Sequence, residues 1–133
     1  MEYMLSNSIY DGNLLSLSTR NGDLEIGISS GGGLRKIIVG GLERLRVSDF
    51  KEGNIINAAY VFSGKDDSCS EERMGALLKY VYDIDDAGLK NNESLRFLTG
   101  KIEEIKRGML LVLEIEPSCG GYVVAVDKSI SLV

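Results

Sequence analysis

The dipeptide Asn21-Gly22 is the feature that most constrains the fold of this chain. On either side of it, residues 13–20 and 23–29 alternate apolar side chains with polar or small ones, which is the period of a half-buried strand. An Asn-Gly connection of two residues favours a type I′ turn, because both central residues of that turn need positive φ. The sequence therefore predicts an antiparallel β-hairpin here.

Apolar runs bounded by glycine, proline or polar residues predict the other strands. β-Branched side chains favour a strand over 34–39, and the mixed spacing up to Val47 fits either a helical turn or a short strand, of which the strand is favoured. Further strands are predicted at residues 54–62, 109–115, 122–126 and 129–133. Pro117 is predicted to end the strand 109–115, because proline cannot donate to a strand ladder.

One helix is predicted over residues 70–82. Ser70 is a suitable N-cap residue, with two acids in the following turn, and the apolar positions recur at helical spacing. Residues 93–107 carry both strand and helix periodicities, and a strand is predicted from Lys101 onward, since Arg107-Gly108 fits a turn into the next strand.

These elements predict an α+β, mainly β fold. Seven or eight short strands would form an antiparallel sheet, arranged as a sandwich or a partly open barrel, with one main helix near 70–82. The length of 133 residues fits a single domain spanning 1–133.

Composition excludes several kinds of active site. The chain has no histidine, so Ser–His and Cys–His nucleophile pairs and zinc sites with histidine ligands cannot form from it. Cys69 and Cys119 lie 50 residues apart without a Cys-x-x-Cys pattern, which favours two reduced thiols. We therefore expect no metal, no cofactor and no enzymatic activity.

The sequence also predicts where the protein resides. No basic and apolar leader is visible at the start, and the longest apolar run, residues 109–113, is far shorter than a membrane span requires. A cytoplasmic protein that makes no membrane contact is expected.

Three local motifs partly match known functional sites, but each favours ordinary structure. Residues 83–88 begin like a calcium loop, but Ala87 occupies a ligand position, so a solvated acidic loop is favoured. The glycines at 31–33 complete no phosphate-binding motif and favour a hairpin connection. Glu114 and Glu116 share one strand face, a placement that fits acids facing solvent better than a catalytic pair.

Two segments are the most distinctive in the chain, and both fit strand–loop–strand connections. Residues 46–56 read Arg-Val-Ser-Asp-Phe-Lys-Glu-Gly-Asn-Ile-Ile, where Arg46 and Asp49 are placed to pair across the loop. Residues 113–122 read Leu-Glu-Ile-Glu-Pro-Ser-Cys-Gly-Gly-Tyr. Together with the opening Tyr-Asp-Gly-Asn-Leu at 10–14, they resemble a family of small bacterial cytoplasmic proteins similar to the immunity proteins of contact-dependent and other polymorphic toxin systems.

That resemblance implies a non-enzymatic protein that binds and blocks a toxin domain. The net charge of −5 disfavours direct nucleic-acid binding and favours a basic protein partner, such as a nuclease domain. The predicted partner-binding residues are the acids around the helix, namely Asp66, Asp67, Glu71, Glu72, Asp83, Asp85 and Asp86. The alternative is a small-molecule-binding or homo-oligomeric β-rich module, and a monomer or weak homodimer is expected.

Overall fold

The computed structural model describes residues 2–4, 11–31, 33–64 and 70–133. In these ranges the helices are α1 Glu71–Val81 and α2 Asn92–Lys106, with a short 3₁₀ helix at Gly88–Lys90. The strands are β1 Glu2–Met4, β2 Asn13–Arg20, β3 Asp23–Ser30, β4 Gly33–Gly40, β5 Arg44–Ser48, β6 Asn54–Phe62, β7 Leu111–Cys119, β8 Tyr122–Asp127 and β9 Ser129–Leu132. The predicted α+β, mainly β class is confirmed.

All described strand pairs are antiparallel, in the order β5-β8-β7-β6-β2-β3-β4-β9, and β1 pairs with the far end of β6. The two ends of this path are connected through the chain, since β5 follows β4 after three residues and β9 follows β8 after one. Backbone hydrogen bonds from Lys128 to Gly40 and from Glu43 to Val126 tie these crossings together. The sheet therefore bends round until its ends meet.

The predicted hairpin is present as β2 and β3, with Asn21 and Gly22 both at positive φ. Its inward side chains meet those of β6, β7 and β8 across the bend of the sheet. We call this aliphatic cluster the inner core; its described, buried members are Leu14, Leu24, Ile26, Ile28, Ile37, Val39, Ile56, Ala59, Val61, Leu113, Ile115, Val123 and Ala125. Burying these side chains supplies the main driving force that holds the two halves of the sheet together.

The other face of β5-β8-β7-β6 carries the two helices. We call this second contact region the helix interface, whose buried members are Phe62, Met74, Leu77, Leu78, Val81, Leu98, Ile105, Leu110, Val112, Val124 and Val126. Strand β8 and the first part of β7 are thus covered on both faces, which is why residues 111–113 and 122–126 are apolar throughout. The described elements form three layers. The helices pack on β5-β8-β7-β6, and these strands pack in turn on the half of the sheet that contains β2, β3 and β4.

Helix α1 agrees with the sequence, but the strand predicted from Lys101 is wrong, because those residues belong to α2. Leu98 and Ile105 are separated by two helical turns and are buried on one face. The Asn91 side chain caps the start, and Gly108 at positive φ follows the end. The residues buried by tertiary packing are therefore those at helical spacing.

The predicted end of a strand at Pro117 is also wrong, since β7 continues to Cys119. Pro117 pairs with Ile56 where the register shifts on either side, so its missing N–H falls at an irregularity of the ladder.

Asn54, the first residue of β6, is buried and is the centre of a group of hydrogen bonds. Its Oδ1 accepts from the backbone N–H of Lys51 and of Gly121, at 2.9 and 2.8 Å, while its Nδ2 donates to the carbonyls of Leu14 and Lys51. These bonds tie the loop to β2 and to the start of β8. Asn54 therefore pins one end of the bent sheet.

Candidate functional site

The described acids predicted to bind a partner lie at the two ends of α1. Glu71 and Glu72 occupy its first turn, and the aspartates at 83, 85 and 86 follow its end. An 11-residue helix is about 16 Å long, so the acids form two groups rather than one cluster. All five side chains are exposed, while Asp66 and Asp67 lie outside the described residues.

Three of these acids form ion pairs with cations of the same chain. Glu71 pairs with Lys106, Asp83 with Arg46 at 3.5 Å, and Asp86 with Lys79 at 3.4 Å. The Asp83 and Asp86 side chains remain 84% and 93% exposed. Pairs this exposed contribute about 0–1 kcal/mol, so they can exchange for the cations of another molecule at little cost.

Asp85 has a local structural role. Its carboxylate accepts the backbone N–H of Gly88, the first residue of the short 3₁₀ helix, at 2.7 Å. The loop that begins like a calcium site is therefore ordered by its own hydrogen bonds. In the described ranges, no group of three or more acidic or cysteine side chains is placed to hold a metal ion.

Arg46, which the sequence places to pair with Asp49, has other partners in the structure. Its guanidinium donates to the carbonyl of Tyr80 at 2.7 Å and lies 4.3 Å from the centre of the Tyr80 ring. The Tyr80 hydroxyl also bonds to Ser48. Arg46 reaches Asp83 rather than the Asp49 predicted from the loop, because β5 lies under the end of α1.

A buried carboxylate, Glu114, fixes the other end of α1 to the sheet. Arg73 donates to one of its oxygens at 2.5 Å, and the Tyr122 hydroxyl donates to the other at 2.6 Å. Glu114 is only 5% exposed, so the sequence-based placement of this acid in solvent is wrong. Because both oxygens accept from side chains of the protein, Glu114 is a structural acceptor.

The two ends of α1 are linked through aromatic rings. Tyr80 and Tyr122 have ring centroids 5.1 Å apart, so the contacts run without a break from Arg46 to Glu114 and Arg73. Burial, followed by the hydrogen bond to Glu114, raises the pKa of Tyr122 well above its usual value. Tyr122 therefore stays protonated as a donor. We call these five residues the polar row.

A second polar cluster connects α2 to Glu43, the residue that precedes β5. Lys101 donates to Glu43 at 2.8 Å, and the Tyr82 hydroxyl donates to the same carboxylate at 3.4 Å. Burial lowers the pKa of Lys101, but its bonds to Glu43 and Glu104 outweigh that effect and leave the pKa raised. Burial also raises the pKa of Tyr82. Lys101 therefore stays charged, and its ion pair with Glu43 links α2 to the sheet.

The sequence offered one indication of the polar row. Arg44, Arg46 and Ser48 stand at alternate positions of β5, which places three polar side chains on one face of a strand. All three bond to residues at the end of α1. Nothing local marks the buried position of Glu114, because it depends on where the helix docks.

Comparison with protein-family models, curated proteins and solved structures finds no match to this chain. Among the described residues, no helix combines the length and apolar character that crossing a lipid bilayer requires.

Proposed function

We propose that this chain is a non-enzymatic, cytoplasmic immunity protein that binds a cognate bacterial toxin domain and blocks it. The observation that carries the proposal is the set of exposed acids at both ends of α1. They are supported from beneath by the polar row, which holds the helix in one position on the sheet. An acidic surface of fixed shape is suited to a basic partner, such as a nuclease domain, because complementary charge speeds encounter and sets orientation.

The resemblance of residues 46–56 and 113–122 to immunity-protein families also supports the proposal. Both segments lie beside the polar row, since the first contains Arg46 and Ser48, and the second contains Glu114 and Tyr122. The exposed free thiol of Cys119 is in keeping with a reducing compartment. The protein would act as a monomer or weak homodimer that masks the active site of the toxin.

The test is a charge-reversal variant assayed for binding to a candidate bacterial toxin domain. Lysine replaces Glu71, Glu72, Asp85 and Asp86. At the fifth position Asp83→Asn is used, because the φ of Asp83 is 56°, in a region that asparagine tolerates. We expect the affinity to fall at least tenfold and to depend less on salt, since surface charges act through screened attraction. Calorimetry at two salt concentrations measures both effects.

Glu25→Lys is the matched control, because Glu25 is an exposed acid on β3, in the layer farthest from the helices. It should leave affinity and protection of toxin-expressing cells unchanged. Full protection by the charge-reversed variant would refute the electrostatic proposal. A stable homodimer on a sizing column, with no binding to the toxin domain, would favour the assembly alternative instead.

A further inference from the structure

Asp127 is a fully buried carboxyl group at the end of β8. Val123 and Ala125, at alternate positions before it, belong to the inner core, so the Asp127 side chain points to the same face of the strand. Among the described residues, neither of its oxygens has a hydrogen-bond partner. A polar group that loses water without a replacement raises the free energy of the folded state, so a movement that returned water to it would be favoured.

Asp127 lies where the two ends of the sheet meet. We call the two connections there, residues 40–44 and 127–129, the rim of the inner core. The amide of Lys128 donates to the carbonyl of Gly40 at 2.9 Å, and the amide of Glu43 donates to that of Val126 at 2.8 Å. Displacement of the rim is therefore the smallest change that would give the buried carboxyl group access to water.

Strand β9 is the element next to the rim that can move with the least disruption. It has four residues, lies at one end of the strand order and pairs with β4 alone among the described strands. Its inward side chains, Ile130 and Leu132, are only partly buried against the inner core. Elements with few buried contacts open at a lower free energy than the whole domain. Release of β9 is therefore a local opening.

The charged residues of the rim and of β3 are engaged elsewhere. Asp23 of β3 accepts the amide of Gly41 at 3.1 Å. Lys128 lies along the backbone, since a Cβ atom at Gly41 would be 2.9 Å from its aliphatic carbons.

The neighbouring strands likewise supply no charge that compensates Asp127 among the described residues. Glu43 is paired with Lys101, and Arg44 of β5 donates to a carbonyl at the end of α1. The residue opposite Asp127 on β7 is Leu111. Burial is accordingly the one cause that raises the pKa of Asp127 to about 8.

We infer that the protonated Asp127 side chain keeps β9 attached to β4, and that loss of its proton to water is coupled to release of β9. A neutral carboxyl group is tolerated beside aliphatic side chains, whereas a carboxylate without donors is far more costly to bury. The charged form therefore needs water, which it reaches when the rim opens. This pH-sensitive device is separate from the proposed toxin-binding surface, and neither proposal depends on the other.

The direction of the pH effect follows from the two states. While β9 is attached, the pKa of Asp127 is about 8, and when β9 is released the hydrated carboxyl group returns towards its usual pKa of 3.8. Between these two values opening releases one proton, so the equilibrium shifts about tenfold towards release for each pH unit. Above the higher pKa both states are ionised and the effect levels off.

The test is amide hydrogen exchange of the full chain, followed by NMR from about pH 5 to about pH 7 and corrected for the intrinsic rate of each amide. The amides of Lys36 and Lys128 bond to the carbonyls of Val133 and Gly40, so release of β9 exposes them. We expect their protection to fall about tenfold per pH unit and to stay below that of the β7–β8 ladder.

Two results of this measurement would overturn the inference. Protection of Lys36 and Lys128 that is independent of pH would show that β9 opens without exposing Asp127. Protection equal to that of the β7–β8 ladder would show that only global unfolding exposes this group.

A matched pair of variants assigns the titration. Asp127→Asn cannot release a proton, so the protection of Lys36 and Lys128 should no longer depend on pH. Asp23→Asn is the control, because its side-chain oxygen can still accept from Gly41, and it should keep the slope of the wild type. A slope that persists in Asp127→Asn would contradict the inference.

A measurement on the wild type needs no variant to fold. The carboxyl carbon of Asp127, observed by NMR in protein labelled at aspartate, should have the chemical shift of a protonated acid at about pH 6, where a hydrated aspartate is ionised. An ionised Asp127 carboxylate at that pH, with β9 still attached, would overturn the inference.

Discussion

The inner core and the helix interface are held together by different physical means. Among the described residues, the inner core contains only leucine, isoleucine, valine and alanine, whose attraction has no preferred direction and scales with buried area. The helix interface adds the polar row to its apolar contacts, with hydrogen bonds of fixed direction from Arg46, Arg73 and Tyr122. Aliphatic packing closes the sheet, whereas polar contacts fix where α1 lies on it.

The largest expected effect is a cavity in the inner core. Ile26→Ala removes a fully buried side chain between the two halves of the sheet, and we expect it to lower the free energy of unfolding by about 3–5 kcal/mol. Urea denaturation followed by circular dichroism measures the loss. Leu34→Ala, on the outer face, should change it by less than about 0.5 kcal/mol; a comparable loss in the two variants would contradict the assignment of this core.

An intermediate effect is expected at the buried carboxylate of the polar row. Glu114→Ala leaves Arg73 and Tyr122 without their acceptor, and we expect a loss of about 2–4 kcal/mol, at the low end because Arg73 is partly exposed. The Glu114→Ala/Arg73→Met double variant should lose less than the sum of the single losses. Glu116→Ala, on the same strand face, is the control and should cost little; strict additivity in the cycle would mean that the pair is not coupled.

Asp127 tests the comparison between aliphatic packing and polar contacts, because its carboxyl group is buried without the hydrogen bonds that Glu114 has. It is fully buried, at the end of β8, and neither carboxylate oxygen has a hydrogen-bond partner among the described residues. Burial raises its pKa from 3.8 to about 8. Between these two pH values the folded state keeps a proton that the unfolded state releases, so stability falls as the pH rises and levels off above the folded pKa.

The expected result for Asp127→Asn follows from this loss of stability with rising pH. An amide cannot release the proton, so the variant should be more stable than the wild type at pH 8 by about 1–3 kcal/mol, and this gain should disappear towards pH 4. Chemical denaturation at a series of pH values measures the difference. Asp85→Asn, at an exposed acid, should keep the slope of the wild type; a constant difference between Asp127→Asn and wild type at every pH would contradict the titration.

Local patterns were sufficient where one face of an element is buried. The hairpin of β2 and β3, the strand β6 and the helix α1 all form where alternation, turn residues or capping predicted them. Local patterns gave the wrong element where the spacings of a strand and of a helix occur in the same segment. From sequence alone, residues 101–106 fit a strand as well as a helix. Burial of Ile105 in the cluster that contains the α1 side chains favours the helix.

The candidate site divides in the same way. The acids around α1 were visible in the sequence as exposed charges, but their separation into two groups at the helix ends follows from the helix length. The pairing of Arg46 with Asp83, across 37 residues, and the burial of Glu114 required knowledge of the docked position of α1.

The sequence by itself determined the elements whose local signals agree, because backbone geometry responds to neighbours within a few residues: Asn21-Gly22 sets the hairpin turn, and Ser70 begins a helix. Only the tertiary structure decided which polar groups meet, because those contacts join residues far apart in the chain. A carboxylate on a strand can face either solvent or a helix. At Glu114 the helix covers it, and an arginine and a tyrosine provide the hydrogen bonds that make its burial possible.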